Sequence, residues 1–258
     1  MRDTLLLAAE AAGRILMDHY ARGVKVSYKG AIDLVTEADL ASEQAVVAII
    51  RDRHPDHDIL GEEGNYPSRG SDQRWIVDPL DGTTNFAHGF PWFAVSIALE
   101  VRGVLVLGAV FNPHNGELFV AERGRGATLN DRPLRVSATA ELQRAMLATG
   151  FAYDHKTSRH NNYRAFERFQ RVAQAVRRAG VASLDLACVA AGRFDGLWEL
   201  HLKPWDVAAG VLLVEEAGGR VSDYAGLPMP LDRGRILASN GLLHDAMKEL
   251  LAMEDSDV

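Results

Sequence analysis

The chain of 258 residues has one cysteine, Cys188. No intrachain disulfide can form, so the fold holds without an oxidising compartment. A zinc centre built from several thiolates is excluded on the same count. Long apolar runs are missing too. The longest is eight residues, as from Val104 to Phe111, against about 20 for a membrane-spanning helix. The N-terminal apolar stretch from Leu5 to Ala9 stops at Glu10, without the cleavage region of a signal peptide. These absences predict a cytoplasmic protein with no membrane partner. Basic residues are outnumbered, 28 Lys and Arg against 35 Asp and Glu, a formal net charge of −7. A general nucleic-acid binder needs a basic face, so no nucleic-acid partner is expected. An acidic chain that handles phosphorylated molecules needs something else to attract them, and bound cations are the obvious candidate.

What is present is ordinary globular composition, 47% hydrophobic and 24% charged. That excludes a disordered or collagenous chain and is enough for one large domain or two packed lobes. Residues 4–20 carry Leu5, Ala8, Ala9, Ala12, Ile15 and Leu16 at helical spacing. A second helix is predicted from Thr36 to about Arg51, with Asp39 three residues after Thr36 as a capping signal. Asp58-Ile59-Leu60 and Arg74 to Val77 read as strand ends. Ala94 to Val101, Val104 to Phe111 and Glu117 to Glu122 read as an antiparallel meander, turning at Arg102-Gly103 and at Asn112 to Gly116. Arg123 to Ser137 reads as irregular. Beyond Ala138, helical stretches (Asn161 to Arg178, Ser183 to Ala191, Asp206 to Ala217) alternate with short apolar runs at Met146, Gly196 and Ile236. The expectation is an α/β protein with an antiparallel N-terminal lobe over 1–137 and a C-terminal α/β lobe over 138–258.

The most informative segment is Trp75-Ile-Val-Asp78-Pro79-Leu80-Asp81-Gly82-Thr83-Thr84-Asn85-Phe86. Pro79 biases Asp78 toward an extended conformation. A turn through Pro79-Leu80 would bring Asp78 and Asp81 to one side, and Gly82 lets a ligand approach closely. The N–H groups after Gly82, with the Thr83 and Thr84 hydroxyls, could face an anion at a helix start. Two carboxylates beside a phosphate cradle make sense if hard divalent cations sit between them. The same residues also make a common β-turn, and that reading stays open. A phosphatase motif with a nucleophilic aspartate has one residue between its two acids; here there are two.

Other acids carry double readings. Glu62 and Glu63 follow a strand-like run, so at most one faces a shared site. Asp206 opens an Ala-rich helix and is either a cap or a functional acid. Asp39 is either a capping-box residue or part of a site. Cys188, Trp92, Phe93 and Trp198 read as core, and the nine histidines show no metal-ligand spacing.

Taken together, Glu62-Glu63, the Trp75 to Phe86 segment, Trp205-Asp206-Val-Ala-Ala-Gly with Glu216-Ala-Gly-Gly, and Asp33-Leu-Val-Thr-Glu-Ala-Asp39 resemble the signature regions of the inositol monophosphatase family. Gly124 to Ala127 and Asp185 to Gly196 also look like family sequence. The resemblance covers nearly the whole chain. It implies a layered α/β fold, usually a homodimer, and a Mg²⁺-dependent phosphomonoesterase that hydrolyses inositol monophosphate with a metal-activated water. Relatives act on fructose 1,6-bisphosphate, histidinol phosphate or 3′-phosphoadenosine 5′-phosphate, and a catalytically idle regulatory relative is a further alternative. By resemblance Glu62, Asp78 and the Leu80 carbonyl bind one Mg²⁺. Asp78, Asp81 and Asp206 bind a second, and a third shares Glu62. Asp39, Thr83 and Glu62 serve the chemical step. Gly82, Thr83 and Thr84 hold the phosphate, while Ala182, Glu199 and Asp206 contact the small polyol or sugar.

Overall fold

A computed structural model describes residues 1–23, 26–28, 34–159, 161–232 and 234–252. Asp33, the first residue of the upstream family-like element, lies outside them. Helix α1 (Arg2–Arg22) leads to a short antiparallel ribbon, β1 (Val26–Tyr28) with β2 (Leu34–Thr36), and then to α2 (Glu37–Arg53). A seven-stranded sheet follows, in spatial order β3 (Asp58–Gly61), β4 (Gln73–Asp81), β5 (Ala94–Val101), β6 (Val104–Asn112), β7 (Glu117–Glu122), β8 (Gly126–Leu129) and β9 (Arg132–Pro133). Only β3 and β4 run parallel. Helix α3 (Thr83–Ala87) lies between β4 and β5. The second sheet is built from β10 (Met146–Thr149), β11 (Ala175–Arg177), β12 (Gly196–Leu200), β13 (Arg220–Ser222) and β14 (Arg235–Ser239), in the order β11-β10-β12-β14-β13. Its helices are α4 (Tyr163–Val172), α5 (Ala182–Ala190), α6 (Pro204–Glu216) and α7 (His244–Ala252).

The layering follows from side-chain alternation along the strands. On the first sheet, Trp75, Val77, Val95, Ile97 and Leu99 face one way and pack with Leu5, Ala8, Leu16, Val46 and Ile50 of α1 and α2. Ile76, Ala94 and Ala98 face the other way, into a core with Leu184 and Leu186 of α5 and Val207 and Leu212 of α6. The second sheet reaches the same core through Ala148, Leu197, Ile236 and Ala238. Its far face presents Leu147, Trp198 and Leu237 to Phe169 of α4 and Met247 of α7. The order is therefore helix, sheet, helix, sheet, helix. Both α5 and α6 are apolar around most of their surface because both sides are covered. The chain is an α/β protein, and the Ala-rich character of α5 and α6 lets two sheets close on one helical layer. No helix among the described residues is long and apolar enough to cross a membrane.

Three local readings need correction. The helix expected over Asn161 to Arg178 covers only Tyr163–Val172, and Ala175–Arg177 is an edge strand parallel to β10. Strand pairing across the chain overrides a local helical pattern there. The stretch from Arg123 to Ser137 contains β8 and β9 rather than only irregular chain. Third, no separate turn joins Asp78 to Asp81. Strand β4 continues through both, and its register against β5 shifts between them, from Asp78↔Ser96 to Asp81↔Ala94. Three steps on β4 thus match two on β5, which is a β-bulge. In a regular strand residues three apart face opposite sides. The extra residue reverses the alternation and lets both aspartates face one side, and Pro79 is tolerated at that point because a bulge leaves an N–H unpaired.

Candidate active site

The C-terminal end of β4, the start of α5, the end of β12 and the start of α6 surround a cleft of about 370 Å³. Glu62, Asp78, Leu80, Asp81, Gly82, Thr83, Thr84, Ala182, Glu199 and Asp206 all line it. Glu63, in the bend that follows β3, does not. Asp39 stands one step behind the surface, wholly buried, and reaches the cleft through Thr83.

Each aspartate of the cleft is anchored through one oxygen by a backbone N–H. Leu80 N–H donates to Asp78 Oδ1 at 3.1 Å, Ser183 N–H to Asp81 Oδ2 at 2.7 Å and Lys203 N–H to Asp206 Oδ2 at 2.6 Å. Asp206 is therefore a capping residue at the start of α6 and a cleft residue at once. Asp39 does the same for α2: its Oδ2 accepts from Thr36 N–H at 2.8 Å and from the Thr36 hydroxyl at 2.5 Å, while its Oδ1 accepts from Thr83 Oγ1 at 3.2 Å. The cap and functional readings of these two acids are compatible, because a carboxylate has two oxygens to share.

Two glycines are required by geometry. Gly82 has φ +92°, in the left-handed region, and a Cβ there would sit 2.7 Å from Val181 Cγ2. Any other residue would be strained and would push α5 away from β4. At Gly150, a Cβ would overlap the Glu199 carboxylate, so the end of β10 must be bare for Glu199 to cross it.

The electrostatics are those of a cation site. Burial pushes Asp78 well above the usual carboxylate range, and the nearby charges of Glu62, Asp81 and Asp206 push it further. Burial raises Asp81 to about 6. Asp206 is raised by burial and then by Asp81. Glu199 is raised to about 8 by burial and Asp81, with Arg178 opposing. Acids that raise one another in this way call for positive charge between them. All the donors are hard oxygens, which suits Mg²⁺. Among the described residues no three acidic, imidazole or thiol groups close on a single point. An ion here would need substrate phosphate and water oxygens as well to complete its shell, the usual habit of Mg²⁺.

The structure also shows what Asn85 of the signature segment does, and it brings in residues that the sequence did not mark. Asn85 Nδ2 donates to the carbonyls of Trp92 and Ala179, both at 2.9 Å, tying α3 to the approach to α5. Phe151, Tyr153, Arg178, His201 and Lys203 line the cleft as well. His201 has φ +63°, an uncommon value for a residue other than glycine. Its turn is braced by Leu202 N–H donating to the Gly234 carbonyl at 3.1 Å. Its Nδ1 lies 3.6 Å from Asp154 Oδ1. No periodicity or spacing announces these positions, which meet only through tertiary packing.

Residues 1–256 match the model of the inositol monophosphatase family. An inositol-1-monophosphatase of Synechocystis is 47% identical over 247 residues, covering 95% of this chain and 86% of that protein. A Pseudomonas aeruginosa protein named Nus factor SuhB is 48% identical, covering 93% of this chain and 91% of its own. Among solved structures, an inositol monophosphatase from Anabaena superposes with a TM-score of 0.90 at 46% identity, covering 97% of this chain and 94% of that one. A fold of the same layers and a match along almost the full length leave one assignment: the chain belongs to the inositol monophosphatase family.

Proposed function

We propose that the chain is a Mg²⁺-dependent phosphomonoesterase that hydrolyses inositol monophosphate to inositol and phosphate. The observation that carries this reading is four acids, Glu62, Asp78, Asp81 and Asp206, lining one cleft beside the backbone of Gly82 and Thr83. By family resemblance Glu62, Asp78 and the Leu80 carbonyl would hold one ion, Asp78, Asp81 and Asp206 would hold a second, and a third would share Glu62. Bound there, Mg²⁺ neutralises the phosphate dianion, lowers the pKa of water and stabilises the leaving alkoxide.

The chain's own groups orient the reaction. The N–H groups of Gly82, Thr83 and Thr84 hold the phosphate. Thr83 Oγ1 accepts a proton from the attacking water while its own passes to Asp39 Oδ1. Burial raises the pKa of Asp39, which favours its taking that proton. Glu199, Ala182 and Asp206 face the polyol. A phosphoenzyme is not required, since Thr83 is paired with a carboxylate and a carbonyl and has no imidazole or amine to make it a nucleophile. The working form is a cytoplasmic homodimer, which light scattering on the purified chain tests.

The deciding assay is Mg²⁺-dependent phosphate release from inositol monophosphate, fructose 1,6-bisphosphate, histidinol phosphate and 3′-phosphoadenosine 5′-phosphate. The reading requires inositol monophosphate to have the highest kcat/KM. A second reading is favoured by the 48% identity to the protein named a Nus factor: the chain also acts as a factor of that kind. An Asp81→Asn chain expressed in place of the wild type separates the two roles, because a factor role survives loss of turnover.

A further inference from the structure

One face of α2 holds three of the segments that build the cleft. Asp39, Ser42 and Glu43 stand at positions i, i+3 and i+4, which share a face of a helix. All three are buried, at 0%, 0% and 2% exposure, although a glutamate is almost never fully buried unless paired. Asp39 grips Thr83, as described above. The Ser42 hydroxyl donates to the Pro79 carbonyl at 2.9 Å, in the middle of the bulge between Asp78 and Asp81. Glu43 Oε2 accepts from Glu63 N–H at 3.0 Å, and its Oε1 accepts from the Tyr66 hydroxyl at 2.7 Å.

Glu43 takes no part in lining the cleft. What it does is hold the chain on either side of Glu62. A Cβ at Gly61 would lie 2.7 Å from Glu43 Oε2, so the backbone before Glu62 rests directly on the Glu43 carboxylate. The backbone after Glu62 is held by the Glu63 N–H bond, and Glu62 N–H itself donates to the Val77 carbonyl at 3.2 Å. Glu62 is thus fixed between β4 and α2. Ser42 and Glu43 set the bulge and the Glu62 turn in register with each other from adjacent positions on one rigid helix.

We propose that Glu43 is a positioning residue that holds Glu62 in place for cation binding. The proposal rests on the reading of Glu62 as a Mg²⁺ ligand. Groups that hydrogen-bond the support of a metal ligand typically change metal affinity or activity by roughly 10–100-fold when removed. Glu43→Ala leaves the Glu63 N–H and the Tyr66 hydroxyl without a buried acceptor and frees the turn. Glu43→Gln restores both contacts: its carbonyl accepts from Glu63 N–H, and its NH₂ donates to the Tyr66 hydroxyl, which can reverse its role.

The test is calorimetric Mg²⁺ binding to the substrate-free protein, with melting curves in EDTA alongside. Glu43→Ala should bind Mg²⁺ about tenfold or more weakly, and Glu43→Gln should stay close to the wild type. In a Glu62→Gln background, Glu43→Ala should cause no further weakening, because the ligand it positions is already lost. Folded Glu43→Ala protein with wild-type Mg²⁺ affinity, beside a weakened Glu62→Gln, overturns the positioning role alone. So does an equal further loss in the Glu62→Gln background, which would mark a general structural role. Glu62→Gln that binds Mg²⁺ like the wild type overturns the ligand reading and the proposal with it. If Glu43→Ala does not fold, Gly61→Ala takes its place, since its methyl pushes on the Glu43 carboxylate. It should weaken Mg²⁺ binding in the wild-type background only, and unchanged affinity there overturns the proposal.

Discussion

Thr83 and Asp39 lie 44 residues apart and share a hydrogen bond, with Thr83 Oγ1 donating to Asp39 Oδ1 at 3.2 Å. Asp39 cannot swing away, because its other oxygen is held by Thr36. Thr83 Oγ1 also lies 3.1 Å from the Leu80 carbonyl, so its position is fixed from both sides. The proposed mechanism uses this pair as one proton acceptor. Thr83→Ala and Asp39→Asn should each lower kcat, and the double variant should be hardly slower than the slower single. Steady-state kinetics at saturating Mg²⁺ measure this. Fully multiplicative losses would leave Asp39 as a helix cap only.

Glu62 and Glu63 should differ despite being adjacent. Only Glu62 lines the cleft, whereas the N–H of Glu63 is the group bonded to Glu43. Glu62→Gln should raise the Mg²⁺ concentration for half-maximal activity by more than the roughly 10–100-fold typical of losing an outer-shell partner. Glu63→Gln keeps its backbone bond and should be much milder. Mg²⁺ titrations of activity decide it, and equal losses would reject the assigned register.

Glu199 should govern selectivity between leaving groups. Its carboxyl group crosses Gly150 into the cleft, where it can hydrogen-bond polyol hydroxyls. Glu199→Ala should lower kcat/KM for inositol monophosphate by about 1–3 kcal/mol, the cost of leaving a buried polar group without its partner. The value for p-nitrophenyl phosphate, whose leaving group has no hydroxyl, should barely change. Parallel kinetics on both substrates show whether the losses differ; equal losses remove Glu199 from the polyol pocket.

The same residue predicts a pH-dependent stability. Burial raises Glu199 from 4.5 to about 8 in the folded protein. Between those values the folded state holds a proton that the unfolded state has released. Stability from this group is therefore greatest below about 4.5, falls as pH rises toward 8 and levels off above it. Glu199→Gln has no such titration. In EDTA its melting temperature relative to the wild type should climb across that window, and a pH-independent difference would contradict the buried, protonated carboxyl.

The parts of the site that the sequence showed are those carried by contiguous residues. Asp78, Asp81 and Gly82 sit in one segment where an apolar strand meets Pro79 and a glycine. The bulge that aligns the two acids was not legible, because the register shift needs Ser96 and Ala94 of β5 opposite. Local pattern places Ala175–Arg177 in a helix, because its strand identity depends on Met146 and Leu147 beside it. Glu199 and Ala182 came from family resemblance and not from local pattern. Arg178, His201 and Lys203 gave no signal, since they meet the acids only when β12, α5 and α6 close around them. Glu43 carries no local signal in the sequence. Its role comes from what lies above it, the Gly61–Glu63 turn.

The central claim is that the cleft's acids hold the cations on which turnover depends. Asp81→Asn tests it most directly, because the amide keeps the shape and can still accept from Ser183 N–H while the charge is gone. Calorimetric Mg²⁺ titration and phosphate release from inositol monophosphate should be measured on the same wild-type and variant preparations. The account predicts a folded variant that melts in EDTA at or above the wild-type temperature at pH 8, since a crowded negative charge has been removed. Its Mg²⁺ affinity should fall by more than the roughly 10–100-fold typical of losing an outer-shell partner, with turnover close to background. Near-wild-type turnover and Mg²⁺ affinity in that folded variant would contradict the account.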